Sequence, residues 1–263
     1  MELELGDVPR YLTPPYCKWN DREPDIVNTI YPYRGIAADP LGINPPVGGE
    51  LNTIPTTTIE KQVEIVSAIL SYFREHDATP TASCVSHTHV HVHVPNLTED
   101  LWTVKKLIAF AYNHQDELID YSDIPADDYL LYDSRRKYPR EHVIELFKVR
   151  SFPELYSSLL INKEEIRNYE APKRYFINFL SLQDNETIEF RFFNSTVDIK
   201  EIENILRFTR SLLDAALNDK ELDRSIQLPR FRYDHELFVG WKQTKHKIIT
   251  TQHKQRKRQK PII

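Results

Sequence analysis

The sequence predicts a mixed α+β protein, because segments that alternate polar and apolar residues are interleaved with segments whose apolar residues recur at helical spacing. The sharpest alternation is Ser86-His87-Thr88-His89-Val90-His91-Val92-His93-Val94, and the sharpest helical spacing follows Thr57, Asn96 and Asp198. A third observation is a pair of strand-like runs, Arg174 to Leu182 and Thr187 to Phe193, on either side of the turn signal Gln183-Asp184-Asn185. Two such runs across a short polar connection predict a hairpin and hence antiparallel pairing.

In chain order, Glu2-Leu3-Glu4 reads as the start of a strand, with both carboxylates on one side and the leucine on the other. Five of the six glycines and many prolines lie before residue 50, so the first fifth is turn-rich; it closes on Gly48-Gly49-Glu50-Leu51-Asn52, a close-approach glycine pair before a short strand. Thr57-x-x-Glu60 is a capping-box pattern, after which Ile59, Val63, Val66, Ile69, Leu70 and Phe73 keep helical period. Beyond the histidine strand, Asn96-x-x-Glu99 caps a helix through Leu101, Val104, Leu107, Ile108 and Tyr112. An acidic, tyrosine-rich connection occupies 121–138, and shorter helices are expected over 140–148 and 152–161. In the second hairpin strand Ile188, Phe190 and Phe192 should face the core, with Thr187, Glu189, Arg191 and Phe193 opposite. Asp198-x-x-Glu201 caps a last long helix through Ile199, Ile202, Ile205, Leu206, Leu212 and Leu213.

Length and composition fit one large soluble domain: 263 residues, 40% hydrophobic and 28% charged, with no apolar run long enough to cross a bilayer. The acidic start is unlike a secretory leader, and two cysteines, Cys17 and Cys84, are too few for a disulfide scaffold or a four-thiolate zinc site. A cytoplasmic setting is therefore expected. The net charge of −5 divides into +8 after Glu236 and −13 up to and including it. An acidic body argues against general nucleic-acid binding, although the basic end, Lys254 to Lys260, could touch phosphates. We expect a catalytic domain over 1–240 and a basic tail over 241–263.

Four of the ten histidines crowd into seven residues at every second position. On a strand their imidazoles line one side while Thr88, Val90, Val92 and Val94 line the other, so the valines should face the core and the histidines a cleft. The paired carboxylates of Glu2 and Glu4 repel one another unless a cation lies between them. Glu189 and Arg191 lie on one side of an otherwise apolar strand. That placement suits a metal ligand beside a phosphate clamp, since guanidinium binds phosphoryl oxygens bidentately.

In their order along the chain, Glu-x-Glu, Gly-Gly-Glu, His-x-His and a Glu-x-Arg strand before a capped helix, these motifs resemble the amidoligase family of glutamine-synthetase-like carboxylate–amine ligases. The resemblance runs from Glu2 to about Ala216 and is most specific at Ser86 to His91 and Thr187 to Asp198. It implies a glutamine-synthetase-like catalytic fold, a largely antiparallel sheet with helices packed on one face. It also implies that Glu2, Glu4, Glu50 and Glu189, with His89, hold one or two Mg²⁺ or Mn²⁺ ions. Arg191 would contact the γ-phosphoryl group of ATP, while Arg174 and Asn178 would line the nucleotide or acid-substrate side. Four histidines in a row leave the register open between His87/His89 and His89/His91, and the basic tail is outside the family pattern.

The activity so implied is ATP-dependent joining of a small-molecule or peptide carboxylate to an amine. A carboxylate must be phosphorylated before an amine can displace its oxygen, so the site must neutralise a triphosphate and exclude water. Neither a Gly-x-x-x-x-Gly-Lys-Ser/Thr loop nor Gly-x-Gly-x-x-Gly is present, so metals and basic side chains would have to hold the nucleotide. Two other readings compete. In one, a hydrolase binds zinc or iron through His87, His89, His91 or His93; in the other, a non-enzymatic module works through the basic tail. Neither the oligomeric state nor the two substrates can be read from the sequence.

Overall fold

The computed structural model describes residues 1–5, 29–33, 48–53, 55–75, 87–122, 137–160, 175–218 and 220–229. Within them the elements run β1 (Glu2–Leu5), β2 (Thr29–Tyr33), β3 (Gly48–Asn52), α1 (Ile59–Glu75), β4 (His87–His93), α2 (Leu101–Tyr121), α3 (Arg140–Lys148), α4 (Phe152–Leu160), β5 (Ile177–Asn178), α5 (Ser181–Asn185), β6 (Thr187–Asn194) and α6 (Ile199–Asn218). The six strands form one sheet in the order β2-β3-β1-β4-β6-β5, and every neighbouring pair is antiparallel. The α+β class and the antiparallel sheet are as the sequence predicts. The expected domain limits at 240 and the tail 241–263 lie outside the described residues, as do Cys17 and Cys84.

Apolar side chains from α1, α2 and α6, among them Val66, Leu70, Val104, Ile108, Ile202 and Phe208, form a single core with Val90, Ile188, Phe190, Phe192 and Phe193 of the sheet. Each such fully buried large side chain contributes roughly 1.5–3 kcal/mol. Met1, though terminal, is fixed: Thr53 donates to its carbonyl through both N (3.0 Å) and Oγ1 (3.1 Å). Buried Gln62 of α1 in turn donates to Thr53 Oγ1 at 2.6 Å, so helix and sheet share one polar clasp beside β1.

Several expectations change in detail. β2 was not anticipated, because Pro32 sits inside Thr29-Ile30-Tyr31-Pro32-Tyr33; proline lacks the ladder donor and is tolerated there because β2 is the sheet edge. The cap of α1 is Thr58, whose Oγ1 accepts from Lys61 N at 3.2 Å. Asp100, not Asn96, caps α2, accepting from Thr103 N at 3.0 Å and Thr103 Oγ1 at 2.7 Å; Asn96 instead takes a left-handed φ of 61° in the preceding turn. Asp198 caps α6 as expected, accepting from the backbone of Lys200 (2.7 Å) and Glu201 (3.1 Å).

The hairpin is present, but β5 is only Ile177–Asn178 and its connection to β6 is the short helix α5, ended by Glu186 at φ 55°. A bulge then corrects the expected facing of β6. Thr88 pairs with Phe193 and Val90 with Phe190, so Arg191 and Phe192 together oppose His89. The extra residue reverses the alternation beyond it and turns Phe193 into the core rather than onto the polar face. There Phe192 and Phe193 both meet Phe208 edge-on, each at 6.4 Å.

Candidate active site

Direct cross-strand partners in an antiparallel sheet share a face. Glu2 pairs with Asn52 and with His89, Glu4 with Glu50, His91 with Glu189, and Glu189 with Asn178. The positions of Glu2, Glu4, Glu50, His89, His91, Glu189 and Asn178 therefore fall on one face, across five adjacent strands. At roughly 4.8 Å per strand, β3 and β6 stand about 14 Å apart. Glu50 and Glu189 thus mark opposite ends of an acidic row, with Glu2, Glu4 and His89 between them. For Glu2, Glu4 and Glu50 this backbone register is what is described, while their side chains and that of His87 lie outside the description. Arg174 also lies outside the described residues.

At the described end of the row stands the carboxylate of Glu189, whose side chain is 7% exposed. Asn178 Nδ2 donates to its Oε2 at 2.6 Å, and Arg191 Nη1 donates to its Oε1. Two imidazoles approach the same Oε1, His89 Nδ1 at 3.6 Å and His91 Nε2 at 3.8 Å. Asn178 is itself oriented, because its Oδ1 accepts from Leu180 N at 3.0 Å. Arg191 lies in the bulge, its N–H bonded to the Phe176 carbonyl at 2.8 Å, and its buried Nε has no hydrogen-bond partner among the described residues. A bulge placed there aims a charged side chain that a regular strand would hold in the ladder's alternation.

The histidine strand spans His87–His93 as predicted, but its polar side is not a uniform cleft wall. His89 is buried, His91 is half-buried and His93 is exposed, with His93 Nδ1 donating to the Glu186 carbonyl at 3.1 Å. Burial thus falls off along β4 away from the bulge, and His89 and His91 are the described imidazoles that approach Glu189. Among the described residues, no three His, Cys, Asp or Glu side chains converge as a ready-made metal group.

Some contributors were not singled out from sequence. Ser181, Thr187 and Asn185 gather around His91, and Tyr138 anchors the short β5 by donating from its hydroxyl to the Ile177 carbonyl at 2.7 Å. Tyr138 stacks on Tyr175 at 4.1 Å, and burial, with Tyr175 beside it, pushes its phenol well above the ordinary tyrosine range. Tyr175 in turn meets His142 Nδ1 at 2.8 Å, while His142 Nε2 donates to the Ser158 carbonyl at 2.9 Å. No local signal in the sequence marks these residues, because their roles depend on α3, α4 and α5 closing over the sheet edge. Among the described residues no helix is long and apolar enough to cross a membrane.

A family model described as "Putative amidoligase enzyme" matches residues 35–213, from before β3 into α6. The matched span contains Glu50, His89, Asn178, Glu189 and Arg191; β1 lies outside it but is paired on both sides with strands that lie within it. No curated protein and no solved structure matches the chain. The family match covers most of the sequence, including all of the described Glu189 network, and the chain belongs to the amidoligase enzyme family.

Proposed function

We propose that this protein is an ATP-dependent carboxylate–amine ligase with a glutamine-synthetase-like catalytic fold. It would join a small-molecule or peptide acid to an amine through an acyl phosphate. The observation that carries this reading is the buried Glu189 carboxylate held by Arg191 and Asn178 on the sheet face where Glu2, Glu4, Glu50 and His89 also stand in register. A donor set of several carboxylates and an imidazole suits Mg²⁺ or Mn²⁺ better than a softer metal. Glu2, Glu4, Glu50, Glu189 and His89 would hold such ions, which supply charge neutralisation for the triphosphate.

The chain's own side chains account for the remaining demands. Arg191 keeps a buried Nε–H beyond its bond to Glu189, which leaves the guanidinium able to reach a phosphoryl oxygen from a fixed position. Asn178 holds the second Glu189 oxygen, so the carboxylate keeps its orientation while Arg191 engages substrate. Arg174, three residues before β5, would line the nucleotide or acid side.

Screening acids and amines in pairs for ADP release with Mg-ATP tests the proposal. A pair that releases ADP and yields an amide together, but not singly, supports it. Amide hydrolysis that requires zinc and ignores ATP would replace it with the hydrolase reading.

A further inference from the structure

A hydroxyl pair lies behind His91, outside the roles assigned above. Thr187 Oγ1 is 3.2 Å from His91 Nδ1, Ser181 Oγ is 3.4 Å from the same nitrogen, and the two hydroxyl oxygens are 2.9 Å apart. Asn185 Nδ2 donates to Ser181 Oγ at 3.3 Å. Three elements converge there: Thr187 opens β6, Ser181 and Asn185 bracket α5, and His91 belongs to β4. Ser181 is buried and His91 half-buried, so these are internal contacts.

We propose that Ser181 and Thr187 are positioning residues that set the tautomer and ring orientation of His91. The direction we assign starts from the amide end of this chain of contacts, since each hydroxyl can accept as well as donate. The Asn185 amide can only donate from Nδ2, so Ser181 Oγ accepts there and its own hydrogen is available for Thr187 Oγ1. Thr187 then has its hydrogen available for His91 Nδ1, which makes Nδ1 the acceptor and places the ring proton on Nε2. That nitrogen is the one 3.8 Å from Glu189 Oε1, so the ring presents an N–H edge toward the carboxylate. Orienting partners on the far ring nitrogen are the usual means of fixing which nitrogen a histidine offers to a site. This rests on the proposed function only in making Glu189 part of a cation site; the tautomer itself is a property of the metal-free chain.

The test uses the full chain labelled with ¹⁵N-histidine and two-bond ¹H–¹⁵N spectra, with the His91 signals assigned by their loss in His91→Gln. The expected wild-type pattern is the Nε2–H tautomer at His91. Thr187→Ser should keep it, whereas the double variant S181A/T187V should lose it. An Nδ1–H pattern in the wild type, or an unchanged pattern in the double variant, would overturn the proposal. Should the double variant misfold, Ser181→Ala and Thr187→Val singly provide the same readout, each weakening the tautomer preference. Mn²⁺ titration by calorimetry separates the two ideas. Loss of the His91 Nε2–H that faces Glu189 should weaken binding by about 10-fold or more if Glu189 holds the cation. A wild-type chain that binds no Mn²⁺ would remove the cation reading while the spectra still decide the tautomer.

Discussion

Replacing Glu189 by Gln changes the charge of one buried group with almost no change in shape, and the surroundings predict a cost in stability as well as activity. The wild-type carboxylate accepts from Asn178 Nδ2 on one oxygen and from Arg191 Nη1 on the other. An amide can accept at one of those positions only, because its NH₂ must face the other donor. Asn178 cannot relieve the clash by flipping, since its Oδ1 is committed to Leu180 N. Breaking a buried ion pair by removing one partner costs roughly 3–5 kcal/mol. Arg191 is 18% exposed, so water recovers part of its solvation and the lower end, about 3 kcal/mol, applies. For a domain of this size that corresponds to a fall in Tm of roughly 6–12 °C. Thermal unfolding followed by circular dichroism measures it, and Mg-ATP turnover, expected to vanish, is read on the same samples. The double variant E189Q/R191M should recover part of the lost Tm, because it removes both charges together. A Glu189→Gln protein that melts within about 2 °C of wild type would refute this account of the network, and normal ADP release would remove Glu189 from the reaction.

Other perturbations probe separate parts of the structure. Arg191→Lys should keep the fold but remain strongly impaired in ADP release, since an ammonium cannot replace a planar fork; full activity would make the pair structural. Tyr138→Phe should lower stability by about 1–3 kcal/mol in denaturant titration, because the buried Ile177 carbonyl loses its donor. The raised Tyr138 phenol also sets a pH dependence. Its stabilisation is complete below the unfolded tyrosine pKa, near 10, and is lost as pH climbs through the folded value, because the unfolded chain releases that proton first. Tyr138→Phe should therefore flatten the decline in stability above about pH 10, and an unchanged alkaline profile would contradict the burial argument. Chelation should abolish turnover, with Mg²⁺ or Mn²⁺ restoring it; restoration by zinc alone would favour the hydrolase.

Local patterns in the sequence were enough to determine the period-2 histidine strand, the amphipathic helices, the α6 cap at Asp198 and the side-by-side placement of Glu189 and Arg191. Such features depend on near neighbours, through strand alternation, helical spacing and capping chemistry. The edge strand β2, the reduction of β5 to two residues, the α5 connection and the bulge that buries Phe193 were decided by pairing between distant segments. So was the asymmetry among the histidines: identical His-x-His spacing buries His89 beneath the bulge, sets His91 against Ser181 and Thr187, and leaves His93 exposed. A one-dimensional pattern assigns a residue to a face of its strand. Which neighbour it meets there depends on register across the sheet, and register is set by the packing of the whole core.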